Sequence, residues 1–199
     1  MTGFEYPNSK HSRRHGPRGY KDYESYRQWL RDEFLYRCVY CLQREQWWNS
    51  TGMFHIDHFR AVATEPDGRC EYSNLIYACV SCNLAKQDVE GIPNPCEVAF
   101  HECVRITEEG RVEALNEAGE KLKKLLRLDS DRRVEKRFRW MRNLRALELK
   151  EPDLYREYMS FPTDLPDLRD LRPPKDDMPT SAANCHYALR ERGELPETY

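Results

Sequence analysis

Along residues 22–37 (DYESYRQWLRDEFLYR), Tyr23, Tyr26, Trp29, Leu30, Phe34 and Leu35 fall near helical spacing. Apolar positions that recur every three or four residues gather on one side of a helix. The pattern predicts an amphipathic helix that delivers the chain to Cys38. Residues 42–52 hold Trp47, Trp48, Asn49, Ser50 and Gly52, a turn-rich stretch. Met53 to Ile56 is short, apolar and bounded, as a strand is. Pro66, Asp67 and Gly68 mark a loop, Tyr72 to Ala78 leads to Cys79, and Asn83 to Val89 starts a short helix.

After Pro93 and Pro95 the pattern changes. Val98 to Ile106 alternates loosely, Glu108-Glu109-Gly110 turns, and Val112 to Leu115 continues, which predicts a hairpin. Asn116 is placed to cap a helix to about Leu128, through Ala118, Leu122, Leu125 and Leu126. Ser130 is placed to cap a longer one to about Lys150, through Val134, Phe138, Met141, Leu144 and Leu147, which Pro152 stops. That helix carries Arg132, Arg133, Lys136, Arg137, Arg139, Arg142 and Arg145. Such a face is either solvated or set against a nucleic-acid backbone or a partner. Leu154 to Met159 adds a turn or two. Beyond Phe161 the chain is acidic and proline-rich and is expected to be irregular, with a short helix near Ala182 to Arg192. No internal repeat at solenoid spacing occurs.

The expected organisation is therefore α+β, in four parts. Residues 1–21 read as a flexible basic arm, with Lys10, Arg13, Arg14 and Arg18; residues 22–95 as a compact core; residues 96–160 as a hairpin and helical extension; residues 161–199 as an acidic, proline-rich tail. The net charge of −2 announces no global attraction to nucleic acid, so the uneven distribution of charge is the more useful signal. No apolar run of about 18 residues predicts a membrane span. The polar N-terminus has no apolar stretch of a secretory signal. These features predict a cytoplasmic protein, where eight cysteines argue for a metal or for buried thiols over disulfides.

Four of the eight have a clear pattern. Cys38-Val39-Tyr40-Cys41 and Cys79-Val80-Ser81-Cys82 are two tight knuckles of equal spacing. Two residues between cysteines let both thiolates face one cation, and two knuckles complete a tetrahedral shell that suits zinc and leaves no open position. The predicted zinc is structural, and its binding would fold a segment whose own core is thin. Cys70, Cys96, Cys103 and Cys185, with His101 and His186 near two of them, match no regular ligand spacing and read as buried or free thiols.

Between the knuckles the chain reads His55-Ile56-Asp57-His58-Phe59-Arg60, then Asn74-Leu75, then Cys82-Asn83-Leu84-Ala85-Lys86. This order resembles the HNH endonucleases in their zinc-containing ββα-metal form, over roughly residues 36–90. The hairpin and helices at about 98–150 resemble, less specifically, the tail of one bacterial subgroup. The resemblance implies a ββα-metal core stapled by the four-cysteine zinc, an N-terminal helix, and phosphodiester hydrolysis. It implies His58 as general base, a chemistry open to an imidazole near neutral pH. It implies Asp57 and Asn83 as hard oxygen ligands of a divalent ion, Mg²⁺ or Mn²⁺, and Asn74 as a brace for the loop carrying His58. Lys86 would neutralise phosphate charge in the transition state, and Arg60 would contact substrate. His55 reads as a packed ring in preference to a further ligand. In a regular strand Asp57 and His58 point to opposite faces, so a local bend is needed to bring both to one phosphate. Arg60-Ala61-Val62-Ala63 and Gln87-Asp88 depart from the family pattern, which has a proline and a glycine there, and put loop geometry at issue.

Two functions compete. One is a metal-dependent nuclease, with DNA as first substrate and RNA not excluded, acting alone, as a homodimer, or with a protein such as an ATPase in a bacterial defence system. The other is a zinc module that grips nucleic acid or protein without catalysis. The Asp57-His58-Asn83 set favours the first.

Overall fold

The computed structural model describes residues 3–48, 51–175 and 180–199. Asn49 and Ser50 of the turn-rich stretch lie outside the described residues. The architecture is α+β, built from short helices around two small two-stranded sheets.

A 3-10 turn at Tyr23–Tyr26 leads into α1 (Arg27–Glu33). Asp22 caps the turn by accepting from the Glu24 amide at 3.1 Å. Of the apolar stripe predicted for this segment, Tyr26, Trp29, Leu30 and Phe34 are in the core, while Tyr23 and Leu35 are half-buried. The helix stops where Leu35 and Tyr36 take positive φ angles (56° and 53°), a left-handed conformation that β-carbons resist. That reversal turns the chain into the first knuckle. An isolated antiparallel bridge between Arg37 and Arg44 closes its base.

β1 (Phe54–His58) pairs antiparallel with β2 (Leu75–Cys79), in a register that sets Phe54 opposite Cys79 and His58 opposite Leu75. β2 is buried at every position. α2 (Val80–Lys86) follows directly. It starts three residues before the predicted Asn83, because Cys79 already serves as its N-cap, and it ends where Gln87 turns to φ 43°. The unit is strand, strand, helix, with both knuckles at its base.

α3 (Phe100–Cys103) occupies the first half of the segment read as a strand, so the hairpin is shorter than expected: β3 (Val104–Ile106) against β4 (Val112–Ala114). Gly110 in its loop has φ 78°, and a β-carbon there would meet the Phe138 amide at 2.8 Å. α4 (Glu117–Leu125) is capped as predicted, Asn116 Oδ1 accepting from the Gly119 amide at 2.9 Å. α5 (Asp131–Lys150) begins after Ser130, whose side chain nevertheless makes no capping bond. α6 (Pro152–Met159) follows, with Pro152 in the first turn, where its missing amide hydrogen costs nothing. α7 (His186–Glu191) lies in the tail.

The largest departure is at the two ends. The expected flexible arm lies against the core: Phe4, Tyr6 and His15 are buried. The Tyr6 hydroxyl donates to the Tyr40 carbonyl at 2.7 Å. In the tail, Cys185, His186 and Ala188 are buried as well. Among the described residues, no helix is long and apolar enough to cross a membrane.

Candidate active site

The knuckles bring Cys38, Cys41, Cys79 and Cys82 together, their sulfur atoms all within 4.8 Å of one another. Cys41 and Cys79 are 3.6 Å apart. Four thiolates at the usual zinc–sulfur length stand about 3.8 Å from each other in a tetrahedron, so the cluster fits zinc. Within the cluster, hydrogen bonds from Cys38, Cys79 and Cys82 hold the Cys41 thiol well below its ordinary value, while burial and its neighbours push Cys38 well above. Arg133 reaches over from α5, donating Nη1 to Cys82 Sγ at 3.1 Å and Nη2 to the Ser81 carbonyl at 2.8 Å.

The other predicted residues divide between two sides of the hairpin. β1 runs unbroken through His58, so no bend reunites Asp57 with His58 and the strict alternation of a strand holds. His55 and Asp57 face α2; His58 faces Tyr23 of the 3-10 turn and the Arg69 backbone. Asp57 is 3% exposed. Its Oδ2 accepts from the Tyr40 hydroxyl at 2.7 Å, and its Oδ1 takes the Lys86 ammonium at 3.1 Å. Burial pushes the Asp57 carboxyl above its ordinary value, opposed by the charge on Lys86 and the hydrogen bonds from Tyr40 and Lys86. Lys86, 1% exposed, also donates to the His58 carbonyl at 2.7 Å. As the side chains stand, Lys86 is therefore turned inward and not toward a substrate. A buried carboxylate needs a cation, and on α2 the position three residues after Asn83 supplies it. Asn83 donates Nδ2 to His55 Nδ1 at 3.5 Å, so the His55 ring is held by α2.

His58 is half-buried. Its Nε2 is 2.9 Å from the Arg69 carbonyl, and the edge of Tyr23 lies against the ring with centroids 4.8 Å apart. Asn74, 1% exposed, holds the intervening loop at both ends. Its Oδ1 accepts from the Arg60 amide at 2.8 Å, while Nδ2 donates to the Arg60 and Gly68 carbonyls at 3.1 and 3.2 Å. The Arg60 guanidinium is exposed and paired with Glu65 at 2.6 Å. Motif reasoning missed Tyr40, Tyr23 and Arg133. Tyr40 sits inside the first knuckle, and its position there was the one available signal. The eight cysteines are free of disulfides, and Cys103 and Cys185 are buried thiols as expected.

Residues 38–88 match the family model described as HNH endonuclease. That segment runs from the first knuckle to just past α2, the same strand-strand-helix unit that carries every residue of the motif. The segment is thus recognised as an HNH domain, a domain of nucleases, and nucleic acid is the substrate class it implies. No curated protein matches the chain.

Proposed function

We propose that the chain hydrolyses phosphodiester bonds of DNA, with His58 as the general base and a divalent cation, Mg²⁺ or Mn²⁺, on Asp57 and Asn83, the end of β1 bending on loading so that residues now on its two faces meet one phosphate. One observation carries this reading. A carbonyl only accepts, so His58 must donate from Nε2 to Arg69. That bond fixes the proton on Nε2 and leaves the Nδ1 lone pair as the basic atom. A general base must be oriented and also reachable; the ring is tied by one nitrogen and remains partly exposed.

The donor set fits a hard cation. Asp57 Oδ1 already carries a cation, the Lys86 ammonium. Asn83, whose Nδ2 is turned to His55, keeps its side-chain oxygen for a ligand. When bound, the cation stabilises the charge that develops on the phosphate. Lys86 then competes with it for one carboxylate oxygen. We assign Lys86 to positioning the end of β1, through Asp57 and the His58 carbonyl. Arg60 serves substrate contact, since opening an exposed ion pair such as that with Glu65 costs little. The tail and basic α5 suit docking to a larger protein, such as an ATPase of a bacterial defence system, or to a second copy.

One observation favours the other reading, a non-catalytic zinc-dependent binding module: both Asp57 oxygens are engaged within the protein. A single assay separates the two. Supercoiled plasmid, single-stranded DNA and RNA are each incubated with Mg²⁺ or Mn²⁺. The wild type is expected to nick plasmid, and His58→Ala to lose roughly 100-fold or more of that rate, with zinc content and circular dichroism unchanged. A wild type inactive on every substrate with either ion returns the chain to the binding module.

A further inference from the structure

His58 has neighbours that the motif does not name. The 3-10 turn Pro66–Cys70 carries Arg69, whose backbone carbonyl accepts from His58 Nε2 at 2.9 Å. Asn74 braces that turn by donating to the Gly68 carbonyl at 3.2 Å. The Arg69 side chain is exposed, and its guanidinium carbon stands 5.7 Å from the centroid of the Tyr23 ring, the same ring that lies edge-on to His58. The Cys70 thiol donates to the Lys21 carbonyl at 3.2 Å, which ties the chain leading into Tyr23 to the same loop. Imidazole, aromatic ring and guanidinium thus form one group on the face of β1 away from Asp57.

The cations that the motif does name are taken. Lys86 is turned inward onto Asp57, and Arg60 is paired with Glu65 at 2.6 Å. Arg69 is not: no carboxylate among the described residues forms an ion pair with it, although Asp67 and Glu71 flank it in sequence and are exposed. Near Tyr23 the carboxylates are occupied, Asp22 in capping the 3-10 turn and Glu24 in holding Arg27 at 2.6 Å. A guanidinium fork matches two oxygens of a phosphate. Contact with an aromatic face holds a long side chain ready, so that less freedom is lost on binding. The proposed divalent ion lies on the other face, with Asp57 and Asn83, and charge that develops on a phosphate oxygen beside His58 needs a donor of its own. We propose that Arg69 binds the nucleic-acid phosphate that meets His58, with Tyr23 as its platform. This assignment rests on the nuclease reading of the site, and adds the phosphate contact that Arg60 and Lys86 cannot make without opening an ion pair.

The test separates binding from cutting. A labelled DNA duplex is titrated with the full-length, zinc-loaded chain over a range of salt, without added Mg²⁺ or Mn²⁺ so that nothing is cut, and anisotropy is followed. Arg69→Ala removes the guanidinium but keeps the carbonyl that holds His58. It is expected to bind DNA about tenfold more weakly at low salt, and its plot of log affinity against log salt should be shallower by about 0.9, the share of one phosphate contact. Arg69→Lys should restore the slope. With Mn²⁺ and saturating DNA, the single-turnover nicking rate of Arg69→Ala should fall on the order of 100-fold, and Arg69→Lys should recover only part of it, because an ammonium lacks the fork. Zinc content and circular dichroism are expected to hold throughout. Equal affinity and slope in Arg69→Ala and wild type overturn the proposal, as does an unchanged single-turnover rate, or a wild type that binds no DNA. A wild type that never nicks, yet loses the slope in Arg69→Ala, sinks the nuclease reading and leaves the phosphate contact standing.

Discussion

Lys86 is the residue on which the chemistry of the candidate site turns. It neutralises a buried carboxylate that would otherwise face water only through 3% of its surface. Lys86→Met removes that cation, and breaking a buried pair from one side costs about 3–5 kcal/mol. The expected outcome is a zinc-loaded protein that melts markedly lower without added Mn²⁺ and recovers on adding it, with Mn²⁺ bound more tightly than by the wild type. Manganese paramagnetic resonance and thermal melts measure both. A variant whose melting is indifferent to Mn²⁺ would show that Asp57 is not the ion's ligand. Asn74 presents a separate case, because its carboxamide holds three backbone groups of the 60–68 loop. Asn74→Ala leaves those groups unpaired, at about 1–3 kcal/mol each when buried. Hydrogen exchange is expected to speed up at residues 60–68 and not at β2. The resemblance implies Asn74 as a brace for the loop carrying His58, and its carboxamide is hydrogen-bonded to backbone groups of Arg60 and Gly68. The pairing of Asp57 with Lys86 was not legible, because helical spacing tells which side of α2 a lysine takes and not which strand residue it meets. The bend needed to bring Asp57 and His58 to one phosphate is absent from β1, whose regular pairing through His58 keeps the two on opposite faces.

At the level of elements, the zinc frame was the most readable feature, since Cys-x-x-Cys is local chemistry that depends on few distant contacts. The long helix was read as basic, and here the structure adds what composition lacks. Arg133 is bound to the second knuckle, Lys136 lies 3.1 Å above the Trp48 ring centroid, and Arg137 is buried on the carbonyls of Gly110 and Leu128. Arg132, Arg139, Arg142 and Arg145 remain exposed. Three of the seven charges are thus committed inside the protein, and the face available to a nucleic-acid backbone is narrower than the sequence suggests. Arg133 matters most for the metal. Four thiolates around one divalent ion leave a net negative centre, and a guanidinium 3.1 Å from Cys82 Sγ offsets it. Arg133→Met is expected to release zinc several-fold faster to a chromogenic chelator, the helical signal holding until the metal leaves. Equal release rates in variant and wild type would assign Arg133 to packing alone.

Across the whole molecule, the two chain ends close on α1 through charges that no composition argument places. Asp32 is fully buried. It is met by His15 at 2.8 Å and Arg14 at 2.6 Å from the N-terminal segment, by His186 at 2.9 Å from α7, and by the Tyr36 hydroxyl at 2.9 Å. Glu33 beside it accepts from His11, from the amides of Arg14 and His15, and from the Tyr72 hydroxyl. A basic arm and an acidic tail look disordered when each is read by itself. Their order comes from partners up to 172 positions apart. Burial alone would raise the Asp32 carboxyl, yet hydrogen bonds from His15 and His186 and the charges of His186 and Arg14 hold it well below its ordinary value. Glu33 is likewise lowered, with burial again opposed, here by His11 and the two amides. The sign of the consequence follows from linkage. A carboxylate depressed in the folded state binds protons more weakly there than in the unfolded chain, so its contribution is complete above the unfolded value, about 3.9 for aspartate and 4.3 for glutamate, and is lost as pH falls below it. The protein is therefore expected to lose melting temperature steeply from about pH 5 downward, with the N-terminal segment and α7 released together because they share Asp32. Asp32→Asn should lower stability near neutrality, where it strands His15, His186 and Arg14 without their anion. It should also flatten the acid limb, leaving only the part owed to Glu33. Melting curves followed by circular dichroism from pH 7 to pH 2 distinguish the cases: parallel acid limbs in variant and wild type would mean that the chain ends are held by something other than this carboxylate.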